Sequence, residues 1–96
     1  IGSSALDSIT SGALHNTAIG FNAGTAITDT DYNTLIGYDA GAAVTGQGNV
    51  AVGTNALKSQ STNASLNVAV GYLAMEDNVG SSNNVAIGYS ALRRSG

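Results

Sequence analysis

Few side chains in this sequence could do chemistry, and they are scattered. His15 is the only histidine of the 96-residue chain, and there is no cysteine. Without a second nitrogen or a thiolate it lacks the partners of a metal centre or of a nucleophile–base pair. It reads as a turn residue or a contact within an assembly. Asp29-Thr30-Asp31 opens like a calcium loop, but the further oxygen ligands and distal Glu of that loop do not follow. It reads as an exposed acidic turn, as does Glu76-Asp77. Gly46-Gln47-Gly48 lacks the Lys-Ser/Thr and the helix of a phosphate loop. Arg93-Arg94 is a two-residue charge patch at the edge of a repeat. Asn63-Ala64-Ser65 matches a glycosylation acceptor, which matters only in a eukaryotic secretory host. Serines are plentiful, yet no base or carboxylate pair stands at a usable spacing. The sequence therefore predicts no enzyme activity, no cofactor and no metal.

Composition narrows the class further. Only 9% of the residues are charged and the net charge is −3, with Lys58, Arg93 and Arg94 the only basic residues. Nucleic-acid binding needs a basic footprint to neutralise phosphates, so it is not expected. No apolar run approaches the roughly 18 residues of a membrane span, so no membrane insertion is expected. Length allows one small domain, residues 1–96. Without disulfides, something else must hold so small a chain together if it is extracellular.

The elements that could do so are repeats. Asn49-Val50-Ala51-Val52-Gly53 recurs as Asn67-Val68-Ala69-Val70-Gly71 and Asn84-Val85-Ala86-Ile87-Gly88. Earlier copies are Asn16-Thr17-Ala18-Ile19-Gly20 and Asn33-Thr34-Leu35-Ile36-Gly37, and Ile1-Gly2 is a truncated one. The motif glycines fall 16 to 18 residues apart, a period near 17. After each glycine come an aromatic or small residue, a variable residue, an Ala, and then Gly, Leu or Met. Farther on, Ile9, Ile27 and Val44 are each followed by Thr, and a polar patch ends each repeat. The order predicted is strand, tight corner, second short strand, polar turn. Because the chain opens inside a motif, it is expected to be a segment of a longer fibrous protein.

Val-Ala-Val alternates with the period of a strand, and β-branched residues suit a pleated surface. Helical repeats are longer, about 33 residues or more. The sequence thus predicts an all-β fold, a parallel β-solenoid of six coils with about 17 residues per coil. Stacked coils place like on like. Asn16, Asn33, Asn49, Asn67 and Asn84 should form an amide ladder beside Gly20, Gly37, Gly53, Gly71 and Gly88. Phe21, Tyr38, Tyr72 and Tyr89 should form an aromatic row broken by Thr54. Spacing varies at the polar turns, so insertions at Gly46-Gln47 or Thr62-Asn63 should be tolerated. An insertion within Val50–Val52 should misfold the coil by exchanging its faces.

A thin roll hides one apolar face, and the motif has two. Ile19, Ile36, Val50, Val52, Val68, Val70, Val85 and Ile87 lie on one, with the Ala/Leu positions on the other. These eight are expected to form core and inter-chain contacts, and substituting Asp at Val70 should dissociate and unfold the assembly together.

The run Asn-Val/Thr-Ala-Ile/Val-Gly-Tyr-x-Ala-Leu/Gly resembles the head repeats of trimeric autotransporter adhesins, over essentially Ile1 to Leu92. The family's repeat is commonly near fourteen residues. The longer period here, with Tyr after Gly, is similar to repeat arrays of phage tail fibres and large surface proteins. The resemblance implies a left-handed β-roll, a homotrimer, and a place on a virion or on the extracellular surface. It also implies a structural and adhesive role, with a host-surface glycan or protein as the partner. A purely structural spacer shaft is the alternative reading. An ice-binding solenoid is a weaker one, since the Thr column at 10, 28 and 45 then fails.

Overall fold

The computed structural model describes residues 2–7, 15–59, 64–78 and 82–95. Its strands are β1 (Thr17–Ile19), β2 (Thr34–Ile36), β3 (Val50–Val52), β4 (Val68–Val70), β5 (Asp77–Asn78), β6 (Val85–Ile87) and β7 (Arg94–Ser95). Strands β1, β2, β3, β4 and β6 stack side by side in chain order, all parallel. Each motif pairs with its own copy one repeat away, so Ala18, Leu35, Ala51, Ala69 and Ala86 form one column. The chain is an all-β parallel solenoid of about four turns. Ile1-Gly2, the sixth copy expected from the sequence, gives no strand among the described residues. Its corner nevertheless bonds to the next one, Leu6 N–H to the Ala23 carbonyl at 3.0 Å and Asn22 N–H to the Ser3 carbonyl at 3.0 Å.

Two overlapping turns make each corner. In one coil, Ala40 N–H donates to the Gly37 carbonyl at 3.1 Å and Ala42 N–H to the Asp39 carbonyl at 3.2 Å. The third residues of these turns, Asp39 and Gly41, have φ of 56° and 58°, the positive φ of a type II turn. Asn22, Asn55 and Ser90 take the Asp39 position in other coils with φ of 53–62°. Short polar side chains tolerate that region best. The motif glycine is required for a second reason. A Cβ on Gly53 would sit 2.6 Å from the Gly71 carbonyl oxygen of the next coil, and φ there is 133°. Gly20, Gly37 and Gly71 repeat that close approach.

The interior is made by the Ala/Leu face. Ala51, Ala69 and Leu35 are fully buried, with Ala18 and Ala86 nearly so. Ala23, Ala40, Ala56 and Ala74 of the corners face them, together with Ile27, Val44, Leu57 and Met75. Ile27 and Val44 thus supply the second inward wall. Among the described residues that wall is a strand at β5 and β7. Elsewhere single bonds continue the stack, such as Ala43 N–H to the Lys58 carbonyl at 3.0 Å. Ile9 and Thr10 lie outside the described residues.

At Gly46, where the sequence expects an insertion to be tolerated, the residue is buried, and its carbonyl accepts from Asn33 Nδ2 at 3.1 Å and Thr30 Oγ1 at 2.9 Å. Thr62-Asn63 lies outside the described residues.

Candidate functional site

With Ala18, Leu35, Ala51, Ala69 and Ala86 inside, the strand residues on either side of them face outward. Ile19, Val85 and Ile87 at the ends of the stack are 40%, 64% and 69% exposed. Ile36, Val50, Val52, Val68 and Val70 between them are half-buried, since copies above and below cover their flanks. The result is a continuous apolar stripe along the solenoid. The eight residues expected to serve core and inter-chain contact are therefore brought together, on the outside, while the coil's own core is made without them.

An aromatic row starts one residue beyond the glycines. Phe21 stacks on Tyr38 with ring centroids 5.5 Å apart, and Tyr72 on Tyr89 at 5.6 Å. Thr54 interrupts the row. All four rings are exposed. The sequence reading missed a third stack, His15 on Tyr32 at 5.2 Å with ring planes 6° apart. A signal for it existed: each residue immediately precedes a ladder asparagine, so the register places one above the other. The pair makes His15 a packing residue of the stack.

The asparagines form the polar spine. Asn33, Asn49 and Asn67 are buried. The Oδ1 of each accepts the backbone N–H of the next copy: Asn16 from Asn33 at 3.0 Å, Asn33 from Asn49 at 2.9 Å, Asn49 from Asn67 at 3.1 Å, Asn67 from Asn84 at 3.0 Å. The amide nitrogen turns to the polar turn, as Asn49 Nδ2 does to the Ala64 carbonyl at 3.1 Å. One side chain thus satisfies two backbone groups that burial would otherwise leave unpaired.

Charges sit at the corners and tie adjacent coils. Arg93 Nε donates to Glu76 Oε1 at 2.8 Å, and Lys58 Nζ lies 3.8 Å from Asp39 Oδ2. The hydrogen bond to Glu76, followed by that carboxylate's charge, raises the Arg93 pKa above its ordinary value. Glu76 Oε2 also accepts from Asn55 Nδ2 at 3.3 Å, while the buried Asn55 Oδ1 has no partner.

A shallow polar groove of about 500 Å³ runs across the turns, lined by Thr28, Asp29 and Thr30 of one coil and Thr45, Gly46 and Gln47 of the next. No aromatic platform lines it. Among the described residues no cluster of three His, Cys, Asp or Glu could hold a metal ion. The described residues contain no helix long and apolar enough to cross a membrane. Chemically the described surface offers packing and hydrogen bonding along its length. No family model, curated protein or solved structure matches this chain.

Proposed function

We propose that the chain is a structural and adhesive segment of a fibre, assembled as a homotrimer and displayed on a virion tail fibre or a cell surface, with no catalytic turnover. The outward apolar stripe carries this reading. A solenoid whose motif strands faced water would be expected to carry polar side chains there. Here Ile19, Ile36, Val52, Val70 and Ile87 follow one another in one outward column, and Val50, Val68 and Val85 continue the column that Thr17 and Thr34 begin; an exposed stripe of that kind is an association surface or an aggregation hazard. Closed symmetry covers it, and the adhesin-like repeat favours three chains wound left-handedly over two. Function then comes from rigidity and multivalency: each turn is shown in triplicate, so weak contacts with a surface glycan or protein add as avidity.

Because Val70 faces outward, substituting Asp there acts on the assembly rather than on the coil. The Val70→Asp chain should sediment as a monomer that keeps its β-type circular dichroism, where the parent sediments as a trimer. A parent chain that is a folded, soluble monomer at micromolar concentration overturns the trimer. Loss of cell or glycan-array binding in Val70→Asp tests the avidity reading.

A further inference from the structure

The break in the aromatic row leaves the space of one ring inside the array. Tyr38, Thr54 and Tyr72 each follow a motif glycine, and the register holds them one above another. Asn55 N–H donates to the Tyr38 carbonyl at 2.9 Å, and Leu73 N–H to the Thr54 carbonyl at 3.0 Å. Tyr38 packs on Phe21 below it and Tyr72 on Tyr89 above it, with ring planes 22° and 21° apart. Each ring is thus covered on one face, and the two remain 51% and 52% exposed. Their other faces turn toward each other across the Thr54 coil.

Neighbouring coils stack at about 4.8 Å, so these two rings stand about 10 Å apart, centre to centre. Thr54 is exposed and too short to fill the space between them. A ring seated over it would lie about 5 Å from each tyrosine, a separation at which rings stack. The slot therefore has two aromatic walls and a hydroxyl at its floor. The corner cations Lys58 and Arg93 are each paired with a carboxylate, which favours a neutral occupant.

A ring held between two π faces needs C–H bonds on both of its own faces, because each wall is negative at its centre. Its polar groups must lie at the rim, where water and the Thr54 hydroxyl meet them. A pyranose with all its substituents equatorial has this form, with axial hydrogens above and below and hydroxyls around the edge. An aromatic side chain would instead cover the Thr54 hydroxyl without giving it a partner. We propose, on the adhesive reading above, that the slot between Tyr38 and Tyr72 binds one such pyranose of a neutral β-linked glucan, the ligand class of that attachment.

Thr54→Tyr closes the slot. Phe21, Tyr38, Tyr72 and Tyr89 already hold this position in other coils, so the substitution completes the row without disturbing the coil. The β-1,4-linked glucose hexamer, titrated while the tyrosine ring protons are followed by NMR, should bind the parent and Thr54→Ser alike. It should bind Thr54→Tyr about tenfold more weakly, through the loss of two stacked faces. Methyl β-galactoside, with one axial hydroxyl, should compete several-fold less well than methyl β-glucoside. Equal affinity for parent and Thr54→Tyr, equal competition by the two glycosides, or stronger competition by indole would each overturn the proposal. A parent that sediments as a trimer and attaches to cells, yet leaves the hexamer unbound, overturns the slot alone. A monomeric parent that binds the hexamer supports the slot and overturns the assembly alone.

Discussion

Coils built around β2 and coils built around β3 and β4 fill the same interior from opposite sides. In β2 the inward residue is Leu35, and the corner position four beyond the glycine is Gly24 below and Gly41 in its own coil. A Cβ on Gly24 would lie 2.9 Å from Leu35 Cδ1, and one on Gly41 would lie 2.6 Å from Leu35 Cδ2. In β3 and β4 the inward residues are Ala51 and Ala69, and the corner position holds Leu57 and Met75, all fully buried. Between the inward strand position and the facing corner position these coils place one large side chain: Leu35 from the strand where the corner is glycine, and Leu57 and Met75 from the corner where the strand is alanine. The arrangements also differ in backbone strain. Gly41 takes φ of 58° freely, whereas Leu57 and Met75 are held at 52° and 49°, a region that bulky L-residues avoid. Burial offsets that strain. The lesson is that the repeat conserves volume rather than residue identity, as close-packed interiors require.

The largest expected effect falls on the spine that both regions share. Asn49→Ala would remove the acceptor of the Asn67 N–H and one donor to the Ala64 carbonyl, at about 1–3 kcal/mol for each bond lost. Urea denaturation should show the midpoint fall, and an unchanged midpoint would mean that water replaces the amide.

Leu35→Ala comes next and tests the strand-filled region directly. Emptying the site should cost about 2–5 kcal/mol. Gly41→Leu in that background should recover part of the loss, since Leu57 already occupies the equivalent position. A double-mutant cycle with no coupling between 35 and 41 would break the comparison.

The corner-filled region gives a smaller, opposite test. Ala51→Leu adds a second large side chain beside Leu57 and should cost about 1–3 kcal/mol through overpacking. Combining it with Leu57→Gly converts this coil to the Leu35 arrangement and should restore most of the melting temperature.

The smallest effect is expected at the rim. Glu76→Gln removes the ion pair with Arg93 while keeping an acceptor for Asn55. The change in melting temperature should be smaller than for any core variant and should fade with added salt, because the Arg93 side chain is half exposed. A shift as large as that of Leu35→Ala would show that the inter-coil charges rival the core.

The sequence alone determined the period, the parallel stacking of like on like, the asparagine ladder and the break in the aromatic row at Thr54. These follow from identity at a fixed spacing, because a solenoid places residues one period apart in contact. The Gly/Leu exchange between corner and strand was also written there, in Leu35 with Gly24 and Gly41 against Ala51 with Leu57. It has no meaning until the two positions are known to face each other. Only the tertiary structure decided which motif face turns inward. Valine and alanine both suit a strand, and alternation separates the faces without ranking them. The corner settles the choice, since its buried alanines and the close glycine approach leave an interior too narrow for two β-branched rows. Gly46 is buried by the next coil's polar turn at Ala64 and Ser65, a contact its polar neighbours in the sequence do not show. Likewise the structure decided where the second wall becomes a strand, at β5 and β7 among the described residues.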